Sequence, residues 1–387
     1  MTSKEWKECK LSDFMEFNPK EILIKGTLSK KITMETLKPY CRDISNYELT
    51  KYNGGTKFKN GDTIRITPCL ENGKTAQVNI LDNNEVGFGS TEYIVFRAIL
   101  NISNKDFIYY LAISPKLRDI AIKSMVGSSG RQRVQTDVLA NMEMFLPPLE
   151  TQEKIASILS VLDDKIELNN SINNNLEQQV LSLYKEHILE KYSGVKNGSI
   201  GDYCNVKSGF AFKSSWWKDQ GIRVLKIKNI DNDGVSFNDC SFVEEDKDDL
   251  AKEFKVVGGD VLIAMTGATI GKFAIVPKTD ETLLVNQRVG KFFIGDDPIK
   301  KLPFLYCTLK QNDVIAEIIN RGQGSAQPNV CGNDILTTPC IIPTMEQIEY
   351  FNKICKPFFE LIINNRCENL KLSQLRDTLL PKLMSGE

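Results

Sequence analysis

The sequence predicts a mixed α/β chain in which two similar globular domains are separated by a long antiparallel two-helix coiled coil, with an internal pseudo-twofold repeat. Three observations predict it. Apolar residues recur at heptad spacing through residues 147–192, a second stretch of the same kind runs from 343 to 385, and short motifs in the remaining stretches recur at a nearly constant offset. The expected boundaries are a first domain over 1–146, a central helix over 147–193, a second domain over 194–342 and a closing helix over 343–387.

The first domain reads as alternating short elements. Leu11 to Phe14 is a short apolar opening, Asn60-Gly61-Asp62 turns the chain into the strand-like Thr63-Ile64-Arg65-Ile66-Thr67, Asn72-Gly73-Lys74 turns it again, and Tyr93 to Phe96 is rich in strand formers. Phe107 to Met125 has helical spacing. The segment GSSGRQRVQTDVLANMEMFLPP then gives a glycine-flanked basic loop and a short strand ending at Pro147 and Pro148.

Those prolines block an earlier helical start, Thr151 can cap, Glu153 suits the positive end of the helix dipole, and Ser193-Gly194 stops the helix. The expected seam is Ile155, Leu159, Leu162, Ile166, Asn169, Asn173, Leu176, Val180 and Leu183. A helix of about 40 residues is about 60 Å long and cannot bury its stripe alone. Its partner is the closing segment, where a Thr344 to Gln347 capping box opens a stripe of Phe351, Ile354, Phe358, Leu361, Asn365, Leu372, Leu375 and Leu379. The two helices align with Pro148 on Pro343, Gln152 on Gln347 and Ile166 on Leu361, each 195 positions apart by subtraction. Pro357 is expected to kink the second helix.

The second domain repeats the plan of the first. Leu11-Ser-Asp13-Phe14 returns as Ile200-Gly-Asp202-Tyr203, and Gly61-Asp62 and Gly73-Lys74 return as Gly259-Asp260 and Gly271-Lys272, 198 positions on by subtraction. Glu92 matches Gln287 at the 195-residue offset of the helices. Scaffold positions recur while the polar residues between them differ, which suggests related modules that read different things.

Composition narrows the function. At 387 residues and 41% hydrophobic content the chain can bury large cores, and two or three domains are expected. Ten cysteines without a CxxC pair and a single histidine, His187, argue against a zinc site. No apolar signal region opens the chain and no run has the length of a membrane span, so the expected location is the reducing cytoplasm. The net charge of −1 is unevenly spread: residues 1–149 carry 21 Lys and Arg against 17 Asp and Glu, and residues 150–192 carry 4 against 8. Within the second domain Lys207 to Lys228 is basic and Glu244 to Asp249 acidic, a division suited to an oriented polyanion binder. Enzymatic motifs are wanting. Gly267-Ala-Thr-Ile-Gly271-Lys272-Phe273 is one residue short of a phosphate loop and lacks its final hydroxyl, Gly87-Phe-Gly89 is too short for a dinucleotide or methyl-donor fingerprint, and neither an NPPY-like tetrapeptide nor the commonest nuclease carboxylate cluster is present.

GSSGRQRVQ before PPLETQEKIA, and GQGSAQPNV before IIPTMEQIEYF, resemble the junctions between target-recognition domain and long helix in type I restriction-modification specificity subunits. The likeness extends to Trp6 to Asp13, Gly267 to Lys272, Asn286 to Gly290 and Leu379 to Gly386, and so spans essentially the whole chain. It departs at Arg131-Gln132-Arg133, where the second half has Ala326-Gln327-Pro328, and at Cys331. The resemblance implies two α/β target-recognition domains that each read half of a split double-stranded DNA site, and a helix pair that docks two methyltransferase subunits. It also implies restriction-translocase partners where present, and no catalysis in this chain: S-adenosylmethionine, ATP and Mg2+ would be bound by the partners. Two alternatives stay open, a specificity chain whose partner fuses methyltransferase and nuclease, and a coiled-coil scaffold that binds no DNA.

Phosphate contacts need Lys, Arg or glycine-flanked amides, and base readout needs Arg, Lys, Asn, Gln, Ser or Thr on groove-facing loops. The candidates are Lys57, Lys59, Arg65, Lys74, Arg131, Gln132 and Arg133 in the first domain. In the second they are Lys213, Lys226, Lys228, Asn229, Thr266, Thr269, Lys272, Gln287, Arg288, Arg321, Gln323, Ser325 and Gln327. Trp216 and Trp217 read as core or interface residues, with stacking on sugar or base as the alternative.

Overall fold

Gly61 (φ +89°) and Gly259 (φ +97°) both adopt left-handed backbone and turn the chain into the buried strands Thr63–Ile66 and Val261–Ala264. The following aspartate locks each turn, Asp62 accepting from the Lys59 amide at 2.7 Å and Asp260 from the Val257 amide at 2.9 Å. The computed structural model describes residues 6–66, 73–125, 133–231, 234–237, 239–247, 249, 251–323 and 328–386. The chain divides into a first unit, 1–167 with 371–387, and a second, 168–370.

The first unit has an antiparallel sheet in the order Met15–Phe17, Tyr93–Ala98, Thr63–Ile66, Thr75–Gln77. A second sheet runs Glu48–Lys51, Leu28–Ile32, Gly87–Gly89, Thr56–Phe58, its middle pair parallel. The second unit repeats both orders. Asn205–Ser208, Val289–Phe293, Val261–Ala264 and Phe273–Ile275 form one sheet; Trp217–Lys218, Ser241–Val243, Ile222–Leu225, Leu283–Val285 and Lys255–Val256 form the other, with the parallel pair again in the middle and one edge strand added.

The single helix expected over 107–125 is two helices, Lys105–Ile113 and Pro115–Lys123. Pro115 starts the second, and the Ser114 hydroxyl accepts from the Leu117 amide at 3.3 Å. The central helix spans Leu149–Tyr184 and widens into a π-helical turn over Lys185–Leu189, which includes His187; Ser193 and Gly194 then reverse the chain at φ +49° and +71°. The closing helix, Met345–Ser385, runs unbroken through Pro357. Pro357 and Lys353 are both exposed, so the Lys353 carbonyl that loses its amide partner has water to bond.

The two long helices pair antiparallel inside each unit. In the second unit Asn169 donates to the Asn369 side chain at 2.9 Å, Asn365 donates to Asn173 at 2.9 Å, and the Tyr184 and Phe351 ring centroids lie 5.7 Å apart. In the first, Asp163 meets Arg376 at 2.7 Å, and Ile155 and Leu159 share a core with Leu380 and Met384. The burial register corrects the 195-residue alignment: Ile155, Leu159, Asp163, Asn169, Val180, Tyr184 and Ile188 are buried, and so are Phe351, Cys355, Phe359, Asn365, Arg376, Leu380 and Met384, each 196 positions on by subtraction. Leu162, Ile166, Leu176, Leu183, Ile354, Phe358, Leu372 and Leu379 are half-buried. Leu361 and Leu375, expected in the seam, are 44% and 47% exposed. The reason is that the closing helix packs on a globular layer as well as on its partner. Phe359, Ile362 and Ile363 enter the strand core, and this turns Leu361 outward.

Candidate nucleic-acid interface

In the second unit four chain segments meet at one end of the sheet that contains Val261–Ala264. Met265 donates its amide to Arg288 O at 3.0 Å and accepts from the Val330 amide at 2.9 Å; the Gly267 amide reaches Pro328 O at 3.0 Å, and the Gln287 amide reaches Phe210 O at 2.9 Å. A β-bridge joins Thr266 to Asn329. These backbone bonds gather Thr266, Thr269, Lys272, Gln287, Arg288 and Gln323. Gln287, Arg288 and Gln323 are exposed, while Thr266, Thr269 and Lys272 are half-buried. Lys272 pairs with Asp231 at 3.2 Å, and the Thr269 hydroxyl donates to Thr266 O at 3.0 Å. The run that resembles a phosphate loop is a 3-10 turn, Gly267–Thr269. Its Gly271 (φ +85°) is held against Ile319, where a Cβ would come within 3.0 Å of Cγ1.

The loop ending at Trp217 carries a cluster of rings and cations. Phe210 stacks on Trp216 with centroids 6.2 Å apart, and Phe212 packs on Trp217 at 5.5 Å. The Lys226 ammonium sits 3.6 Å from the Trp217 centroid, and Lys213 and Lys247 lie 5.4 and 5.2 Å from that of Trp216. Burial, helped by the charge of Lys228, pushes the Lys226 ammonium below its ordinary range. Both indoles are half-buried against a core of Phe212, Val224, Val243, Ala251 and Leu284, so they pack and also orient cations. Lys247 lies in an acidic run and pairs with Asp246, so the sequence shows no sign of it; its place over an indole depends on long-range packing.

Two second-unit candidates serve the fold. Asn229 is buried, accepting from the Lys226 amide at 3.0 Å and donating to Ser236 O at 3.1 Å. Arg321 bonds Glu317 at 3.0 Å and Asp334 O at 3.1 Å and also reaches Thr337, tying together the ends of two helices. Lys213 and Lys228 are exposed. Ser325 and Gln327 lie outside the described residues, as do Arg131 and Gln132 in the first unit.

First-unit candidates are mostly committed internally. Arg65, expected at the DNA, is 3% exposed and donates to Ala112 O, because the strand face that looked solvent-facing is covered by the helix Lys105–Ile113. Lys57 donates to Glu21 O, Lys59 pairs with the Glu21 carboxylate at 2.8 Å, and Lys74 donates to Met34 O at 3.1 Å. Arg133 alone among the described first-unit candidates is exposed, and it is paired with Glu92. Two ionic ties join distant segments and leave no local signature in the sequence. Arg42 grips Glu167 through two bonds of 2.9 and 2.8 Å, and Asp163 accepts from both Arg376 and the Tyr110 hydroxyl at 2.7 Å.

A family model described as the type I restriction modification DNA specificity domain matches residues 3–178 and 192–374. The chain is 25% identical to the type I restriction enzyme MjaVIII specificity subunit of Methanocaldococcus jannaschii, over 99% of this chain and 93% of that protein. It is 24% identical to the HindI specificity subunit of Haemophilus influenzae, over 89% and 90% of the two chains. The crystal structure of the type I restriction-modification S subunit from M. genitalium shares its fold at a TM-score of 0.52 and 18% identity, covering 98% of this chain and 96% of the other. Two matches of one domain model on one chain agree with the duplicated strand order, and the protein belongs to the type I restriction-modification DNA specificity family.

Proposed function

We propose that this chain is the non-catalytic DNA-specificity subunit of a type I restriction-modification assembly and reads a split duplex site, one half through residues 1–146 and the other through 194–342. The observation that carries the reading is the duplicated strand order with unlike loops, which is what two readers of different half-sites need. In the second half the reading groups are Gln287, Arg288, Gln323 and the cations around Trp216 and Trp217. Residues 147–193 and 343–387 act as the spacer and as the dock for two methyltransferase subunits and, where present, a translocase-nuclease. B-form DNA repeats about every 34 Å and about 10 base pairs, so a helix of this length suits two half-sites separated by an unread stretch. S-adenosylmethionine, ATP and Mg2+ belong to the partners.

The test is to purify the chain with its methyltransferase and map methylation on a random-sequence DNA pool. A split motif is expected; methylation without any motif would point to a protein scaffold instead.

A further inference from the structure

The second unit carries a groove of about 400 Å3 that the DNA reading does not use. Lys300, Lys301, Lys353 and Lys356 surround it with the exposed Glu349 among them, and the buried Tyr203, Ile348 and Asn352 line its depth. Polar atoms in that depth are already engaged: the Tyr203 hydroxyl donates to Lys301 O at 2.7 Å and accepts from Asn352 at 3.0 Å, and Asn352 accepts from the Phe304 amide at 2.9 Å. What remains is shape and apolar surface, with Met345 half exposed at the edge. Lys300 pairs with Asp297 at 3.3 Å and Lys356 with Glu360 at 3.6 Å, whereas Lys301 and Lys353 make no ion pair among the described residues.

An apolar slot whose rim carries four ammonium groups against the one carboxylate of Glu349 has an excess of positive charge, and suits carboxylates that flank an aliphatic or aromatic side chain. It suits a phosphodiester backbone poorly, since phosphate oxygens would meet no free donor in its depth. The repeat does not duplicate the site. The residues 196 positions earlier are Asn104, Lys105, Ser157 and Ser160, a single lysine in place of four, and Lys105 is paired with Asp106 at 2.8 Å. The lysine cluster therefore belongs to the second unit alone among the described residues.

We infer that the groove receives an acidic segment of one of the two methyltransferase subunits, anchored by an apolar side chain and bound once per chain. This rests on the reading of the chain as a subunit that docks a methyltransferase. Carbodiimide coupling of the assembled complex, mapped by mass spectrometry, should link Lys301 or Lys353 to Asp or Glu of the methyltransferase. The paired variant K301E/K353E should weaken assembly by about tenfold at low salt with the melting temperature and the DNA affinity of the isolated chain unchanged, and K301R/K353R should assemble normally. Unchanged assembly without coupling would overturn the inference. So would loss of DNA binding with assembly intact, which would make the groove a DNA surface. If the wild-type chain did not assemble with the methyltransferase at all, the functional reading itself would fall, and that control separates the two failures.

Discussion

One interface, a helix lying on a four-stranded sheet, is built from opposite chemistry in the two units. In the first unit Thr63, Arg65, Thr75 and Gln77 face the helix Lys105–Ile113, with Arg65 bonded to Ala112 O and Gln77 to Asp106 at 2.9 Å. The residues 198 positions on are Val261, Ile263, Phe273 and Ile275, which share an apolar core with the helix Leu302–Leu309. Thr63 Oγ1, Thr75 Oγ1, Arg65 Nε and Tyr109 OH at the first unit's interface are buried without a hydrogen-bond partner, whereas among the described residues the matching interface of the second unit leaves Tyr306 OH. Burial, helped by the charge of Arg118, pushes the Arg65 guanidinium down to about 10 from an ordinary 12.5, which costs about 3 kcal/mol of first-unit stability at neutral pH. Strand order therefore depends on hydrogen-bonded pairing and turn glycines, and it survives exchange of the layer beneath it. The first unit is expected to be the less stable.

The strongest way to break that comparison is to move the charge. Ile263→Arg would bury a guanidinium among apolar side chains and should cost the second unit about 4 kcal/mol, read from its unfolding midpoint. A loss under about 1 kcal/mol would mean that this interface accommodates charge as readily as the first. Arg376→Ala should cost about 3 kcal/mol, since it leaves the Asp163 carboxylate buried with the Tyr110 hydroxyl. At the matched site in the second unit Tyr306 packs on Phe359 with centroids 5.1 Å apart, so the double variant Asp163→Phe with Arg376→Val should recover much of that loss. Arg65→Ile should do the reverse of Ile263→Arg and stabilise the first unit by about 1 to 3 kcal/mol; a destabilised variant would show that the Ala112 bond outweighs the burial cost.

The loops proposed to read DNA give the smallest expected effects in energy. Changing Lys213, Lys226 and Arg288 together to Ala should flatten the salt dependence of DNA binding by about 0.9 in log–log slope for each phosphate that these side chains neutralise. Arg133→Ala should change it less, because Glu92 already neutralises that side chain. An unaltered slope in the triple variant would show that those three side chains make no phosphate contact.

What was legible in the sequence follows from which forces are local. The long helices show because a heptad stripe must be buried, and Asn169, Asn173 and Asn365 show because they interrupt it in register. The offset is 196 and not 195 because Gln and Pro side chains match one position away from the burial register, in which Pro147 pairs with Pro343. Neighbouring apolar residues such as Phe358 and Phe359 give no sign of which faces the sheet. Arg65 alternates with Ile64 and Ile66 as an exposed strand residue would, and only the tertiary fold reveals the helix above it. Lys57, Lys59 and Lys74 are DNA candidates by type, yet each is spent on a carbonyl or carboxylate from a distant segment.

Two alike scaffolds proposed to read DNA independently should be separable by exchanging one of them. Residues 1–146 should be replaced by the corresponding domain of a relative and the methylated motif of the assembled chimera compared with that of the parent. One half of the motif should change while the other half and the spacing are kept; a change in both halves would rule out independent reading.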